Sequence, residues 1–190
     1  MLKKVKRMNK LDNKKILMGV SGGIAVYKIA TLVSQMKQAG ADVKVIMTKN
    51  AQKFVTPLTF QTLSANPVYT DMFDSVSGID VNHITLAKWA DYFIIAPATA
   101  NTIGKFASGI ADDLLSCTVI TVKIPTLIVP AMNTNMYTNV MVQRNIKTLQ
   151  EFGYHLMIPD TGRLACGTEG LGRMPEPEKI IEYFVENIIS

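Results

Sequence analysis

Three groups of residues in this chain have types and spacings suited to chemistry. The first is Pro130-Ala-Met-Asn133-Thr-Asn-Met136, directly after the apolar run Thr126-Leu-Ile-Val129. The run reads as a short, fully buried strand of a parallel sheet, and Pro130, lacking a backbone donor, ends it. Asn133 then carries an amide donor and an acceptor just past a strand's carboxyl end, where open α/β sheets bind ligands. Two readings stand at this point: a carboxamide facing a ligand, or a cap for the helix that follows. The second group is Asp160–Pro177, with four glycines, Arg163, Arg173 and Cys166. Its glycines read as hinges and its arginines as a clamp on an anionic substrate, and such a loop adds little to a core. Cys166, between Ala165 and Gly167, is placed for chemistry, whereas Cys117, in an apolar helical stretch, reads as buried and inert. The plain alternative is a surface loop. The third is His83, opening a short helix with Asn82 as an orienting neighbour and Trp89 close by. Taken alone, a single histidine such as His83 is more often structural than functional. His155 lies in strand sequence and reads as core or edge.

Two turns read as anion or ring cradles. In Gly19-Val-Ser21-Gly22-Gly23, followed by Ile24, small residues let backbone amides approach a phosphate and the helix start adds favourable polarity. The turn has serine where the dinucleotide fingerprint has its middle glycine, and it lacks the G-K-[ST] ending of a Walker loop. At the end of the second strand, Thr48-Lys49-Asn50 stands where a nicotinamide fold places an acidic residue for the ribose. A mononucleotide such as FMN therefore fits better than NAD. Pro97-Ala-Thr99-Ala100-Asn101-Thr102 repeats the pattern of proline followed by small polar residues, offering two hydroxyls and an amide at a helix start. As ordinary turns and caps these segments need no ligand.

The elements that must position these residues alternate strand and helix. Strands are expected at Lys15–Val20, Asp42–Met47, Val68–Phe73 (a small edge strand), Tyr92–Ala96, Thr126–Val129 and His155–Ile158. Helices are expected at 24–38, with Ile24, Tyr27, Ala30 or Thr31, and Ser34 at helical spacing, and at 57–63, 83–89, 101–107, 112–122, 138–152 and 177–189. Gly40 stops the first helix, and Thr56-Pro57 reads as a cap with proline at the first helical position. This alternation argues for an α/β protein with a doubly wound open parallel sheet, a Rossmann/flavodoxin-like three-layer arrangement in a single domain.

Composition narrows the class. At 190 residues and 48% hydrophobic, the chain suffices for one domain with a full core. The net charge of +5 is uneven, because residues 1–15 hold seven of the 20 Lys/Arg and one of the 15 Asp/Glu. The remainder is close to neutral, so residues 1–14 are expected to be a basic, disordered tail ahead of a domain spanning 15–190. No basic face with interleaved aromatics follows the tail, so no nucleic-acid partner is expected. No apolar run approaches the ~20 residues that span a bilayer, and no signal peptide is evident, so a cytoplasmic protein without a membrane partner is expected. Two cysteines and two histidines give neither a disulfide framework nor a metal spacing.

Pro130-Ala-Met-Asn-Thr-Asn-Met136 resembles the PxMNxxM motif of the homo-oligomeric flavin-containing cysteine decarboxylases. The flap from Arg163-Leu-Ala-Cys-Gly to Gly172-Arg-Met-Pro-Glu-Pro177 resembles their substrate-recognition clamp, in the form found in the phosphopantothenoylcysteine decarboxylases. Gly22-Gly23, Asn82-His83 and Ala96-Pro97-Ala-Thr-Ala-Asn-Thr102 also match, and the resemblance covers 15–190. Tyr137 stands where members often carry tryptophan. The resemblance implies FMN held by Ser21, Gly22, Gly23, Ile24, Thr48, Lys49, Asn50, Thr99, Ala100, Asn101, Thr102 and Ala131. It implies His83, Asn133 and Cys166 as catalytic residues, and Asn133, Arg163, Ala165 and Met174 as contacts to a small-molecule substrate, phosphopantothenoylcysteine. It implies oxidation to a thioaldehyde by the flavin, loss of CO2, and reduction and protonation of the enethiolate, giving 4'-phosphopantetheine for coenzyme A biosynthesis. FMN would lie at the subunit interfaces of a homotrimer or dodecamer, with His83 serving a neighbouring subunit's site. Many bacterial members are fused to a cysteine ligase, and a stand-alone decarboxylase is expected here. Flavin prenyltransferases share the fold and glycine turn without the paired motifs, and peptidyl-cysteine decarboxylases have a different clamp. A non-catalytic FMN-binding regulatory subunit would be expected to lack one of His83, Asn133 or Cys166.

Overall fold

The structure, a computed structural model, describes residues 9–73, 82–165 and 167–189. Six strands form one parallel sheet: β1 (Lys15–Val20), β2 (Asp42–Met47), β3 (Val68–Tyr69), β4 (Tyr92–Ala98), β5 (Thr126–Pro130) and β6 (His155–Leu156). Their order is β3-β2-β1-β4-β5-β6. β4 and β5 are buried along their whole length, and β1 from Ile16 onward. A strand covered on both faces has no solvent side, which is why these read as continuous apolar runs without alternation.

The helices are α1 (Val26–Gln38), α2 (Pro57–Ser64), α3 (Asn82–Trp89), α4 (Ala100–Ala107), α5 (Leu114–Thr121), α6 (Thr134–Tyr137), α7 (Val140–Glu151) and α8 (Pro177–Asn187). One face of the sheet carries α1, α2 and α8, through Val26, Ile29, Leu32, Phe60, Ile180 and Phe184. The other carries α3, α4, α5 and α7, through Leu86, Ile103, Leu115, Val119, Ile146 and Leu149. The result is the expected three-layer, doubly wound sheet. Its order reverses between β1 and β4, so their following loops diverge to opposite faces and leave a crevice at the strands' carboxyl ends.

Several elements differ from the sequence expectation. The core face of α1 is Val26, Ile29, Leu32, Val33 and Met36, while Ile24 and Tyr27 are 56% and 60% exposed. Two stripes with helical spacing compete in this segment, and the one at Ile24 and Tyr27 faces outward. Within the stretch expected to be a tail, Asn9–Leu11 is a 3-10 turn, and Leu11 is fully buried in the core. β4 runs through Pro97 to Ala98, with a cis Ala96–Pro97 bond. The missing proline N–H falls where the β4–β5 register shifts between Ile95 and Ala98. The segment after β5 holds a separate turn of helix, α6, before α7. Asp160–Arg163 and Glu169–Arg173 pair as an antiparallel hairpin, β7–β8, in place of an irregular loop.

Candidate functional site

The site is built at the crevice. Beyond β1, Ser21 is 1% exposed, and its hydroxyl donates to the Pro97 carbonyl at 2.6 Å while accepting from the Thr99 N–H at 3.0 Å. Thr99 caps α4, its Oγ1 accepting from the Thr102 N–H at 3.3 Å and lying 2.9 Å from Thr102 Oγ1. These bonds join the loops after β1 and β4 across a separation of 76–78 residues. The loop after β2 completes the group. A Cβ on Gly22 would lie 2.4 Å from Asn50 Cβ, so only glycine allows that approach. Thr48 Oγ1 accepts from the Ala51 N–H at 3.3 Å, and Lys49 and Asn50 are exposed. Ser21–Ile24, Thr48–Asn50 and Thr99–Thr102 therefore meet at one sheet edge. Among the described residues, no hydrogen bond engages the amides of Gly22, Ile24 and Ala25, just ahead of α1.

Beyond β5, Ala131 N–H donates to the Ala98 carbonyl at 3.0 Å. Asn133 caps α6, its side chain accepting from the Asn135 N–H at 2.8 Å, so the capping reading describes its oxygen. The hairpin is docked on this segment: Met132 N–H donates to the Gly172 carbonyl at 3.0 Å. The two motif segments thus form one unit.

Between the hairpin, residues 131–133 and the start of α1 lies a cavity of about 660 Å³. It is lined by Gly23, Ile24 and Ala131 from the expected cofactor residues and by Asn133, Arg163, Ala165 and Met174 from the expected substrate contacts. Its charged lining residues are Lys28, Arg163 and Arg173, with no Asp or Glu among the described ones. The two clamp arginines differ. Arg173 Nη2 bonds Glu176 Oε1 at 2.7 Å, whereas Arg163 is exposed and has no ion-pair partner among the described residues. Lys28 donates to the same Glu176 oxygen at 2.8 Å and to the Met174 carbonyl at 3.1 Å. The Lys28 hydrogen bond, with help from Arg173, holds the Glu176 carboxyl below its usual value against partial burial. Met174 as a whole is only 2% exposed, and its side chain packs in the core.

The Flavoprotein family model matches residues 4–189. The chain belongs to the Flavoprotein family. This Flavoprotein chain is 53% identical over 172 residues, 90% of its length, to the coenzyme A biosynthesis bifunctional protein CoaBC of Bacillus subtilis (strain 168). It is 43% identical over 175 residues, 92% of its length, to the protein of the same name from Escherichia coli (strain K12). It spans 42% and 43% of those two relatives. Among solved structures, it matches a cysteine-to-serine mutant of PPC decarboxylase complexed with pantothenoylaminoethenethiol, at TM-score 0.81 and 34% identity, over 90% of this chain and 95% of that one. It also matches the FMN binding protein AtHal3, at TM-score 0.80 and 36% identity, over 90% and 94% of the two chains.

Other expected site residues of this Flavoprotein chain lie elsewhere. His83 does not line the cavity. It begins α3 in the opposite helical layer, and its Nδ1 is buried without a hydrogen-bond partner among the described residues. The amide of Asn82 donates to the Asp71 carbonyl at 3.1 Å. Cys166 lies outside the described residues. Cys117 is only partly buried, a correction to the sequence reading, with Sγ 3.3 Å from the Ala111 carbonyl and 3.3 Å from Met72 Sδ. Desolvation, with the Asp113 and Asp112 charges, pushes its thiol up, which keeps it protonated and unreactive. Sequence reasoning missed Lys28 and Tyr27 as cavity residues, along with the pairing of Arg173. Lysine in an amphipathic helix reads as solvent-facing; its place one residue from the core stripe at Ile29 was the available signal.

Proposed function

We propose that this chain carries out the FMN-dependent decarboxylation of 4'-phosphopantothenoylcysteine to 4'-phosphopantetheine in coenzyme A biosynthesis. The observation that carries the reading is the docking of the clamp hairpin on the Ala131–Asn133 segment over a cavity whose charged lining is basic. The names of the related proteins support the same reaction class and the same cofactor.

The residues present fit FMN. A turn of small residues, unpaired amides ahead of α1 and a cavity of about 660 Å³ suit a phosphate with a planar ring. Ser21–Ile24, Thr48–Asn50, Thr99–Thr102 and Ala131 would hold it. Bound FMN would supply the reversible two-electron acceptor that gives a cysteine carboxylate an electron sink. Asn133 would hold the substrate carboxylate. Arg163 would attract the anionic substrate, and the hairpin backbone would exclude water from it. Once CO2 has left, Cys166 would protonate the enethiolate carbon. His83, in the layer facing away from its own cavity, would serve the cavity of a neighbouring copy as acid–base or electrostatic partner. We infer a homotrimer, or a dodecamer of four trimers, acting in the cytoplasm.

Anaerobic mixing of FMN-loaded protein with phosphopantothenoylcysteine, followed by mass analysis, tests the reading. Loss of CO2 with two hydrogens retained is expected, and a Cys166→Ser protein should release CO2 yet stop at the oxidised enethiol. A yellow protein that leaves the substrate mass unchanged would sink the decarboxylase reading in favour of a prenyltransferase or a regulatory subunit.

A further inference from the structure

Lys28 lies one turn into α1, the helix that opens directly after the Ser21–Gly23 turn, and its side chain is only 8% exposed. A lysine buried to that degree needs paired and hydrogen-bonded surroundings. Its ammonium reaches 3.1 Å to the Met174 carbonyl, just beyond β8, and 2.8 Å to Glu176 Oε1, the cap residue of α8. Arg173, the last residue of β8, bonds the same oxygen at 2.7 Å. One carboxylate therefore gathers a cation from α1 and a cation from the hairpin. The base of the hairpin is held by Met132 N–H on Gly172, by this cluster on Arg173 and Met174, and by Lys179 of α8, whose ammonium donates to Asp160 Oδ2 at 3.0 Å. Toward its turn, Leu164 N–H bonds the Thr168 carbonyl at 2.8 Å and Gly167 N–H bonds the Leu164 carbonyl at 2.9 Å. Those bonds lie within the hairpin and tie it to nothing else.

We propose that Lys28 is a positioning residue that latches the base of the β7–β8 hairpin to the cofactor-side helix and so sets where Arg163 stands over the cavity. The latch acts through Glu176 and the Met174 carbonyl, and Lys28 need not touch substrate. Its bearing on turnover rests on the decarboxylase reading. Its effect on the hairpin does not.

Amide hydrogen exchange on purified Lys28→Met and Lys28→Arg proteins, without substrate, tests the latch. Removing the ammonium leaves Glu176 with Arg173 alone, so exchange in 160–163 and 169–173 should rise by about tenfold or more in K28M, with β1 and β2 unchanged. K28R should restore most of the protection. In turnover, K28M should raise KM by more than it lowers kcat, the sign of lost ground-state positioning. Acceleration spread evenly over the whole chain, or unaltered hairpin exchange, would overturn the latch. If K28M does not fold, Glu176→Gln, which keeps a hydrogen-bond acceptor but loses the charge, takes its place in the same comparison. Absent decarboxylation in every variant, with selective hairpin exchange intact, would count against the decarboxylase reading and still uphold the latch.

Discussion

Met132 and Gly172 are joined backbone to backbone, the amide of one donating to the carbonyl of the other at 3.0 Å. Gly172 sits at φ +137, and a Cβ there would lie 2.2 Å from the Met132 carbonyl oxygen. The hairpin reaches the Ala131–Asn133 segment because residue 172 has no side chain. Chain order separates the two segments by forty residues, and this contact makes them one wall of the cavity.

Gly172→Ala is expected to undock the hairpin. The left-handed backbone costs an alanine about 1–3 kcal/mol, and the carbonyl it meets belongs to a fixed backbone segment. Gly170→Ala makes a similar approach, 2.4 Å to Thr134 Oγ1, but Gly170 lacks a positive φ and a hydroxyl can rotate away. Urea titrations should rank the variants parent, G170A, G172A in falling stability. G170A proving the less stable of the two would mean that the Met132 contact does not fix the hairpin.

Ser21→Ala removes a buried hydroxyl that serves two backbone groups, the Pro97 carbonyl and the Thr99 N–H. Pro97 keeps a weaker bond from the Ser21 N–H at 3.3 Å, while the Thr99 N–H loses its acceptor. A fully buried donor left unmatched costs about 1–3 kcal/mol, and the part-buried Thr99 N–H falls at the low end. Denaturant unfolding should show a loss in that range, and flavin should wash out more readily because the loops after β1 and β4 are no longer tied. Flavin retention equal to the parent would show that the cradle does not depend on this bond.

β1, β4 and β5 were legible because burial on both faces leaves continuous apolar runs, and all six strands begin where the sequence places them. The hairpin was not legible. Asp-Thr-Gly-Arg and Glu-Gly-Leu-Gly-Arg hold three glycines and a single β-branched residue, Thr161, with no aromatic, and the second segment docks on Met132. The turns at Ser21 and Thr99 could be read as cradles one at a time. Their mutual hydrogen bonds span 78 residues, and local spacing carries no trace of them. The face of α1 was misread because Ile24 and Tyr27, apolar but exposed at the cavity mouth, imitate a core stripe. The Lys28–Glu176 pair needed the fold to bring α1 and α8 together.

Acid should weaken the hairpin through Glu176. Its folded-state value is depressed, chiefly by the Lys28 hydrogen bond, so its contribution is full above the ordinary glutamate value of 4.5 and is lost as pH falls through the lower folded value. The stability difference between the parent and Glu176→Gln should therefore be constant at neutral pH and shrink below about pH 4.5. Urea titrations across pH 3–7 measure it. A difference that stays constant throughout would mean the carboxylate's pairing contributes nothing to the fold.

Asn133 allows its structural and chemical roles to be separated. Its side-chain oxygen caps α6 by accepting from the Asn135 N–H, a task that an aspartate carboxylate performs equally well. Asn133→Asp should therefore keep both the fold and bound flavin, while its negative charge, lining the same cavity, repels a substrate carboxylate. Asn133→Ala should instead lose about 1 kcal/mol of cap energy. Calorimetry with phosphopantothenoylcysteine and unfolding curves on both variants provide the check. A stable, yellow N133D that binds substrate as tightly as the parent would remove Asn133 from carboxylate recognition, and a colourless N133D would assign it to the flavin.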